Sequence, residues 1–324
     1  MLFNSSKLLL ANTMMIGVIM TICSNNWISM WMGLELSLLS FIPFIQTDNL
    51  MSSESMIKYF IIQSVASTMM LFSVVIMLIG VNMMNETIMT IAMLMKLGSV
   101  PFHNWVLMII EMLSYYTMFS LLTILKAPPL LIMYQINSMN LFIPIILSMI
   151  FSAILCLNQA SIRKTLAYSS IFNISLMLII MDSMNMLVLY LAFYSIMMIT
   201  MTNIIKNLKI NFINQMVMNE FNNSIKMNLW INMLSMSGFP PMIGFLGKMM
   251  VIQTLIQKNE FLLLLILLLS SMLVTMFYTR MAFTSMMLTI STKKWNKHYT
   301  STLYYPMVVN IIFTPVFISL TSIL

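Results

Sequence analysis

The chain is poor in charge, and that poverty decides its class. Of 324 residues only 7% are Asp, Glu, Lys or Arg, whereas 60% are hydrophobic. Soluble domains carry about 25% charged residues, so no soluble domain of any size is encoded. Cysteine is nearly absent. Cys23 and Cys156 lie in separate apolar runs, which excludes a disulfide framework or a thiolate metal site. The two histidines, His103 and His298, are far apart, and no metal-ligand spacing appears. Glycine is down to 7 residues and forms no phosphate loop; no nucleotide, flavin or iron–sulfur motif occurs. The net charge of +7 comes from basic residues scattered over loops without clustered aromatics, so it is no nucleic-acid signal. No cleavable leader is expected, because Met1–Lys7 runs straight into a span that reads as permanent.

What is present is apolar and long. The pattern predicts an all-α membrane protein of about eleven spans, each able to cross a hydrocarbon core about 30 Å thick. They cover 8–24, 27–45, 56–80, 87–111, 114–136, 141–158, 165–181, 185–205, 228–257, 261–290 and 304–324. The whole of 1–324 reads as one polytopic domain with discontinuous helices. The two segments 228–257 and 261–290 exceed the need, which implies tilt, breaks or emergent ends. Trp27, Trp230, Trp295 and Tyr304 fall near span ends, as interfacial aromatics do. The 43 methionines have two readings. They are flexible apolar filler, or the mark of an AT-rich genome with an extra Met codon, as in many animal mitochondria.

Loop charge predicts orientation. Loops on the N-terminal side hold Lys7, Lys58, Arg163, Lys164, Lys206, Lys209, Lys226, Lys293, Lys294 and Lys297; those on the other side hold only Lys258. The asymmetry puts the N-terminus in the positive compartment and, with an odd span count, the C-terminus opposite. The polar segment 206–226 is either a surface amphipathic helix or a solvated loop.

Against this background, Glu35, Lys96, Lys126, Lys248 and Arg280 sit well inside apolar stretches. A charge at the bilayer centre costs roughly 2.5–3.5 kcal/mol on insertion scales, and such residues mark ion or proton paths by default. Three of the lysines stand beside helix breakers. Lys96 precedes Gly98 and Pro101; Lys126 precedes Pro128 and Pro129; Lys248 follows Gly238, Pro240 and Pro241. Each Pro removes a backbone donor and is expected to free carbonyls, those of Leu97, Ile124 and Leu125 among them. Irregular backbone at membrane depth survives only when it is buried in protein or lines water, and transporters build ion sites from such broken helices. Kinks for packing alone, with outward-snorkelling lysines, are the plainer reading. Glu35 needs a cation or a proton, and Lys96 is the expected partner. His103, seven residues after Lys96, is either a possible relay or a buried imidazole bonded to a carbonyl. Arg280 cannot usefully deprotonate and reads as a fixed counter-charge or a snorkelling residue. In the third span Gln63 with Ser67, and Ser64 with Thr68, read as helix-packing pairs, with water lining as the other role.

Five segments carry a resemblance: WMGLELSLLSFIPFI at 31–45, KYFIIQSVAST at 58–68, KLGSVPFHNW at 96–105, LNQASIRKTLAYSSI at 157–171 and SGFPPMIGFLGKMMVIQ at 237–253. In that order they resemble the chain 2 family of mitochondrial NADH:ubiquinone oxidoreductase, respiratory complex I. The resemblance implies an antiporter-like subunit of the membrane arm that translocates protons. It implies a path through Glu35, its partner Lys96, the central Lys126 and the distal Lys248. NADH, FMN, iron–sulfur clusters and ubiquinone would then belong to partner subunits, with no cofactor or metal bound here. Partners would be other complex I subunits, especially neighbouring antiporter-like and small membrane-arm subunits, and the bilayer, cardiolipin included. The location implied is the mitochondrial inner membrane, N-terminus in the matrix and C-terminus in the intermembrane space. Departures fall at Leu107, Met112 and the Gly247–Lys248–Met249 run. A further one is Asn173, with Ser175 and Leu176, where the family often has a titratable His and a Gly–Trp pair. Two rivals stand beside this reading: an autonomous cation/proton antiporter, and a subunit that only holds the arm together.

Overall fold

The computed structural model describes residues 5–47, 50–80, 82–136, 141–218, 223–287 and 310. Fourteen α-helices are found among them: α1 (Ser5–Cys23), α2 (Trp27–Ile45), α3 (Leu50–Ile79), α4 (Asn82–Leu97), α5 (Asn104–Ile110), α6 (Tyr115–Leu122), α7 (Ala127–Ile136), α8 (Phe142–Cys156), α9 (Ile162–Ile179), α10 (Met184–Leu208), α11 (Ile213–Met218), α12 (Asn223–Ser237), α13 (Ile243–Gln257) and α14 (Phe261–Met287). A 3-10 turn, Ile124–Lys126, joins α6 to α7. Six segments are long and apolar enough to cross a membrane by length and composition: α1, α2, α3, α6 through α7, α10 and α14 as far as Thr284. Shorter apolar helices, α8 and α13, accompany them.

Ten of the eleven expected spans correspond to helices or broken helices; 304–324 lies outside the described residues, Asn310 excepted. The chain divides into two compact units, Met1–Ser148 and Met149–Leu324, with the division inside α8. In the first unit α1 packs on α2, with Gly17 and Gly33 so close that a Cβ on either would meet the other's backbone oxygen at 2.9 Å. Such small-residue contacts bring helix backbones together where lipid supplies no hydrophobic driving force.

In the second unit α9 is buried at every residue from Thr165 to Ile179. Its start is tied to the end of α10. Ile162 N donates to Asn211 O at 3.0 Å, and Ile213 N donates to Ala160 O at 3.0 Å. These form an isolated antiparallel bridge between Ser161 and Phe212. The segment 206–226 is thus neither one amphipathic helix nor one loop. α10 extends to Leu208, Lys209 closes it in the left-handed region, and the bridge and short α11 follow.

Candidate functional site

The chain breaks at two of the three lysine sites with helix breakers, after Leu97 and after Ser237, and both breaks are built by one local device. α4 stops at Leu97, where Gly98 adopts φ 69°. Gly98 N donates to Met95 O at 3.2 Å and Ser99 N to Leu94 O at 3.2 Å, the double bond of a Schellman ending. α12 stops at Ser237, where Gly238 has φ 72°. Gly238 N donates to Ser235 O at 3.0 Å and Phe239 N to Leu234 O at 3.1 Å. Only glycine enters this region without strain. In each break a cis proline follows, at Val100–Pro101 and Pro240–Pro241.

Side chains also reach the carbonyls at these endings: Met95 O gains a second donor, and Lys96 O and Ser237 O gain the donor the backbone does not supply. Trp105 Nε1 donates to Met95 O at 3.1 Å, and Gln63 Nε2 reaches Lys96 O at 3.5 Å. In the second unit, Lys248 Nζ donates to Ser237 O. Its stem lies against Gly238, where a Cβ would meet the Lys248 Cε at 2.6 Å. Gln63 therefore serves the break, whereas Ser64, half-buried, and Thr68, exposed, bond carbonyls of their own helix.

The third proline site behaves differently. An α-helical carbonyl accepts from the amide four residues on, and for Ile124 and Leu125 those residues are Pro128 and Pro129, which have no N–H. Ile124 accepts instead from Ala127, three residues on, and the chain tightens into a 3-10 turn. Leu125 has no such recourse, because both residues three and four ahead are prolines. Of the two carbonyls expected to be freed here, only that of Leu125 lacks an α or 3-10 donor. Pro128 and Pro129 fall in the first turn of α7, where prolines are tolerated because those amides would lack intrahelical partners anyway. The span continues through the turn rather than separating.

Lys126 ends that turn. It is 5% exposed, and its Nζ has no hydrogen-bond partner among the described residues. Lys96, in the last turn of α4, is 7% exposed. Both line one cavity of about 20 Å³, together with Ser37, Tyr59, Gln63 and Leu125. A water molecule needs about 10–15 Å³ of such space and polar partners, so the cavity admits roughly one. Glu35 is half-buried and stands outside the cavity wall. It makes no direct ion pair with Lys96, though its charge acts on both Lys96 and Tyr59.

His103 is not brought to this cavity. Seven residues would bring it to the Lys96 face only along an unbroken helix, and the chain breaks between Leu97 and Asn104. Its imidazole is half-buried at the N-terminus of α5, and its Nδ1 has no partner among the described residues. Arg280 is exposed on α14. In the second unit Asn173 accepts a 2.7 Å hydrogen bond from Tyr190 and donates to Ser169 O at 2.9 Å. Tyr59, Trp105 and Tyr190 were missed from sequence. Their only signal is an aromatic ring with a polar tip inside an apolar run.

The sequence matches the family described as NADH:quinone oxidoreductase/Mrp antiporter, TM, over residues 24–82 and 79–275. It is 36% identical over 291 residues to NADH-ubiquinone oxidoreductase chain 2 of Anopheles gambiae, covering 86% of this chain and 85% of that one. The chain belongs to the NADH-ubiquinone oxidoreductase chain 2 family. The chain 2 of Locusta migratoria is 35% identical over 304 residues, covering 90% of this chain and 89% of the relative. Among solved structures, a chain of respiratory complex I from Thermus thermophilus with bound aureothin superposes with a TM-score of 0.82 at 17% identity. That likeness covers 96% of this chain and 77% of that one, and it shows the fold. The all-α, antiporter-like membrane fold with discontinuous helices expected for a chain 2 protein is therefore the fold observed.

Proposed function

We propose that this chain is a proton-translocating membrane-arm subunit of NADH:ubiquinone oxidoreductase in the mitochondrial inner membrane. It carries no redox chemistry of its own. NADH oxidation and ubiquinone reduction, with their FMN and iron–sulfur clusters, belong to partner subunits. The observation that carries this reading is the unpartnered Lys126 ammonium, buried beside a water-sized cavity that it shares with Lys96. A fixed positive charge there is costly, and release of its proton relieves the cost. Lys126 is thus suited to be a reversible carrier.

The steps are electrostatic. Lys126 takes a proton through water. Glu35 lies within electrostatic reach of Lys96 without a direct ion pair. When the carboxylate draws closer to Lys96, less of that positive charge acts on Lys126. When the two part, like charge across the cavity favours proton release. Lys248, at the break between α12 and α13, connects the central site onward. The N-terminus faces the matrix and the C-terminus the intermembrane space. The loop charges support this, as does the bridge that puts the start of α9, with Arg163, beside the end of α10, with Lys209.

The test is Lys126→Met, which preserves length and removes the charge. The complex is expected to assemble and NADH-driven membrane potential to fall strongly, measured alongside quinone reductase activity. Normal pumping by this variant rejects the carrier role and leaves the structural reading.

A further inference from the structure

We propose that the first unit carries a binding site for the amine headgroup of a zwitterionic lipid of the phosphatidylethanolamine class, with Glu86 as the group that meets the ammonium. The site lies at the membrane surface opposite the N-terminus and does not depend on the pumping function above. A cavity of about 330 Å³ opens there between α2, α3, α4 and α7. Small-molecule sites run from about 300 to 1,000 Å³. The wall is made of helix ends. Trp27 opens α2, Glu86 stands near the start of α4, and Gln135 and Ile136 close α7. The ends of spanning helices lie at headgroup level, where Trp rings are enriched. The same four helices help to line the lysine cavity, roughly 10–20 Å further along them at 1.5 Å per residue.

Charge decides what fits. No Lys or Arg occurs between Lys7 and Lys58, between Lys58 and Lys96, or between Lys126 and Arg163. Every residue of the wall falls within those stretches, and Glu86 is the charged one among them. The unit's own lysines stand toward the opposite ends of their helices: Lys58 near the start of α3, Lys96 in the last turn of α4, Lys126 just before α7. The cation for Glu86 therefore comes from outside the chain. Glu86 is exposed, so a headgroup can reach it. The Trp27 ring suits an ammonium by its negative face.

The rest of the wall selects a lipid over a lone lysine from a partner. The indole N–H of Trp27 and the amide of Gln135 are donors, fit for the phosphate that adjoins the ammonium in a zwitterionic headgroup. Met77, Met89 and Ile136 are apolar and suit the glycerol and the first acyl carbons. Met77 leads on to Leu78 and Ile79, which are exposed at the end of α3. A lysine side chain satisfies Glu86 and leaves the donors and the apolar wall unmatched. An anionic lipid without an amine sets phosphate against carboxylate.

The test uses a phosphatidylethanolamine with a diazirine on its first acyl carbons, in nanodiscs holding the assembled complex. Photolabelling is expected on peptides of this chain that contain Met77 or Met89. Unlabelled phosphatidylethanolamine should compete. Phosphatidylglycerol, which keeps the phosphate and chains but has no amine, should not. Glu86→Gln keeps the size, removes the charge and should lower labelling about tenfold, the order of one charge-assisted hydrogen bond. Equal competition by phosphatidylglycerol, or undiminished labelling of Glu86→Gln, overturns amine recognition. Absence of label on these peptides overturns the site. A carbodiimide crosslink from Glu86 to a lysine of a neighbouring subunit gives the cavity to a protein partner and overturns the lipid. Should Glu86→Gln fail to assemble, the competition on the unaltered complex decides alone.

Discussion

A lysine without a partner is the feature on which the residue scale turns. Lys126 and Lys96 are buried beside the same cavity, and the Nζ of Lys126 is buried without a hydrogen-bond partner among the described residues. Charge alone does not suffice for a carrier; the group must also let its proton go. Lys126→Arg keeps the charge, but guanidinium does not deprotonate. It is expected to assemble and to pump poorly, close to Lys126→Met. Arg280→Lys should be near neutral, since Arg280 is exposed on α14 and faces none of the site. Membrane potential against quinone reductase activity reads both. Pumping by Lys126→Arg at the normal ratio would contradict a carrier that releases its proton. The lysines were legible because each is a lone charge in apolar sequence. Tyr190 and Asn173 were not. Neither is charged, and their pairing joins positions seventeen residues apart on different helices.

At the scale of elements, the two breaks are the same structure written twice: a glycine past the helix end, a cis proline after it, and a side chain on a carbonyl at the helix end. Gly98→Ala should be destabilising. A non-glycine residue in the left-handed region costs roughly 1–2 kcal/mol, and the added methyl would meet Val106 and Trp105. Trp105→Phe keeps a ring against Tyr59 but strips Met95 O of its side-chain donor, a loss of about 0.5–1.5 kcal/mol because Gly98 N still donates to that carbonyl. Both should lower the thermal inactivation temperature of the assembled complex. An unchanged temperature for Gly98→Ala would mean the break relaxes without strain. Gly and Pro made the breaks readable in the sequence. The groups that meet the carbonyls were not readable, because Gln63 acts 33 residues away on α3. The Lys126 site shows a subtler limit. Two adjacent prolines pointed to a separation, but sitting in the first turn of α7 they produce only a tightened turn.

At the scale of the whole molecule, the helices among the described residues follow the hydrophobic pattern closely. α2 begins and ends where its apolar run does, at Trp27 and Ile45. The division into two compact units was not legible, because apolar runs look alike whichever unit they pack in. For topology, protease added to intact inner-membrane vesicles from the intermembrane-space side should leave the loop at 209–212 uncut. Cleavage there would reverse the orientation. That loop has one further consequence. α9 and α10 are joined at one end by the short connection Ile180–Ser183 and at the other by the pairing of Ser161 with Phe212. A helical hairpin clasped at both ends cannot splay open. The Ser161–Phe212 bridge and the Tyr190–Asn173 hydrogen bond thus hold the two helices in one register, at the end and in the middle.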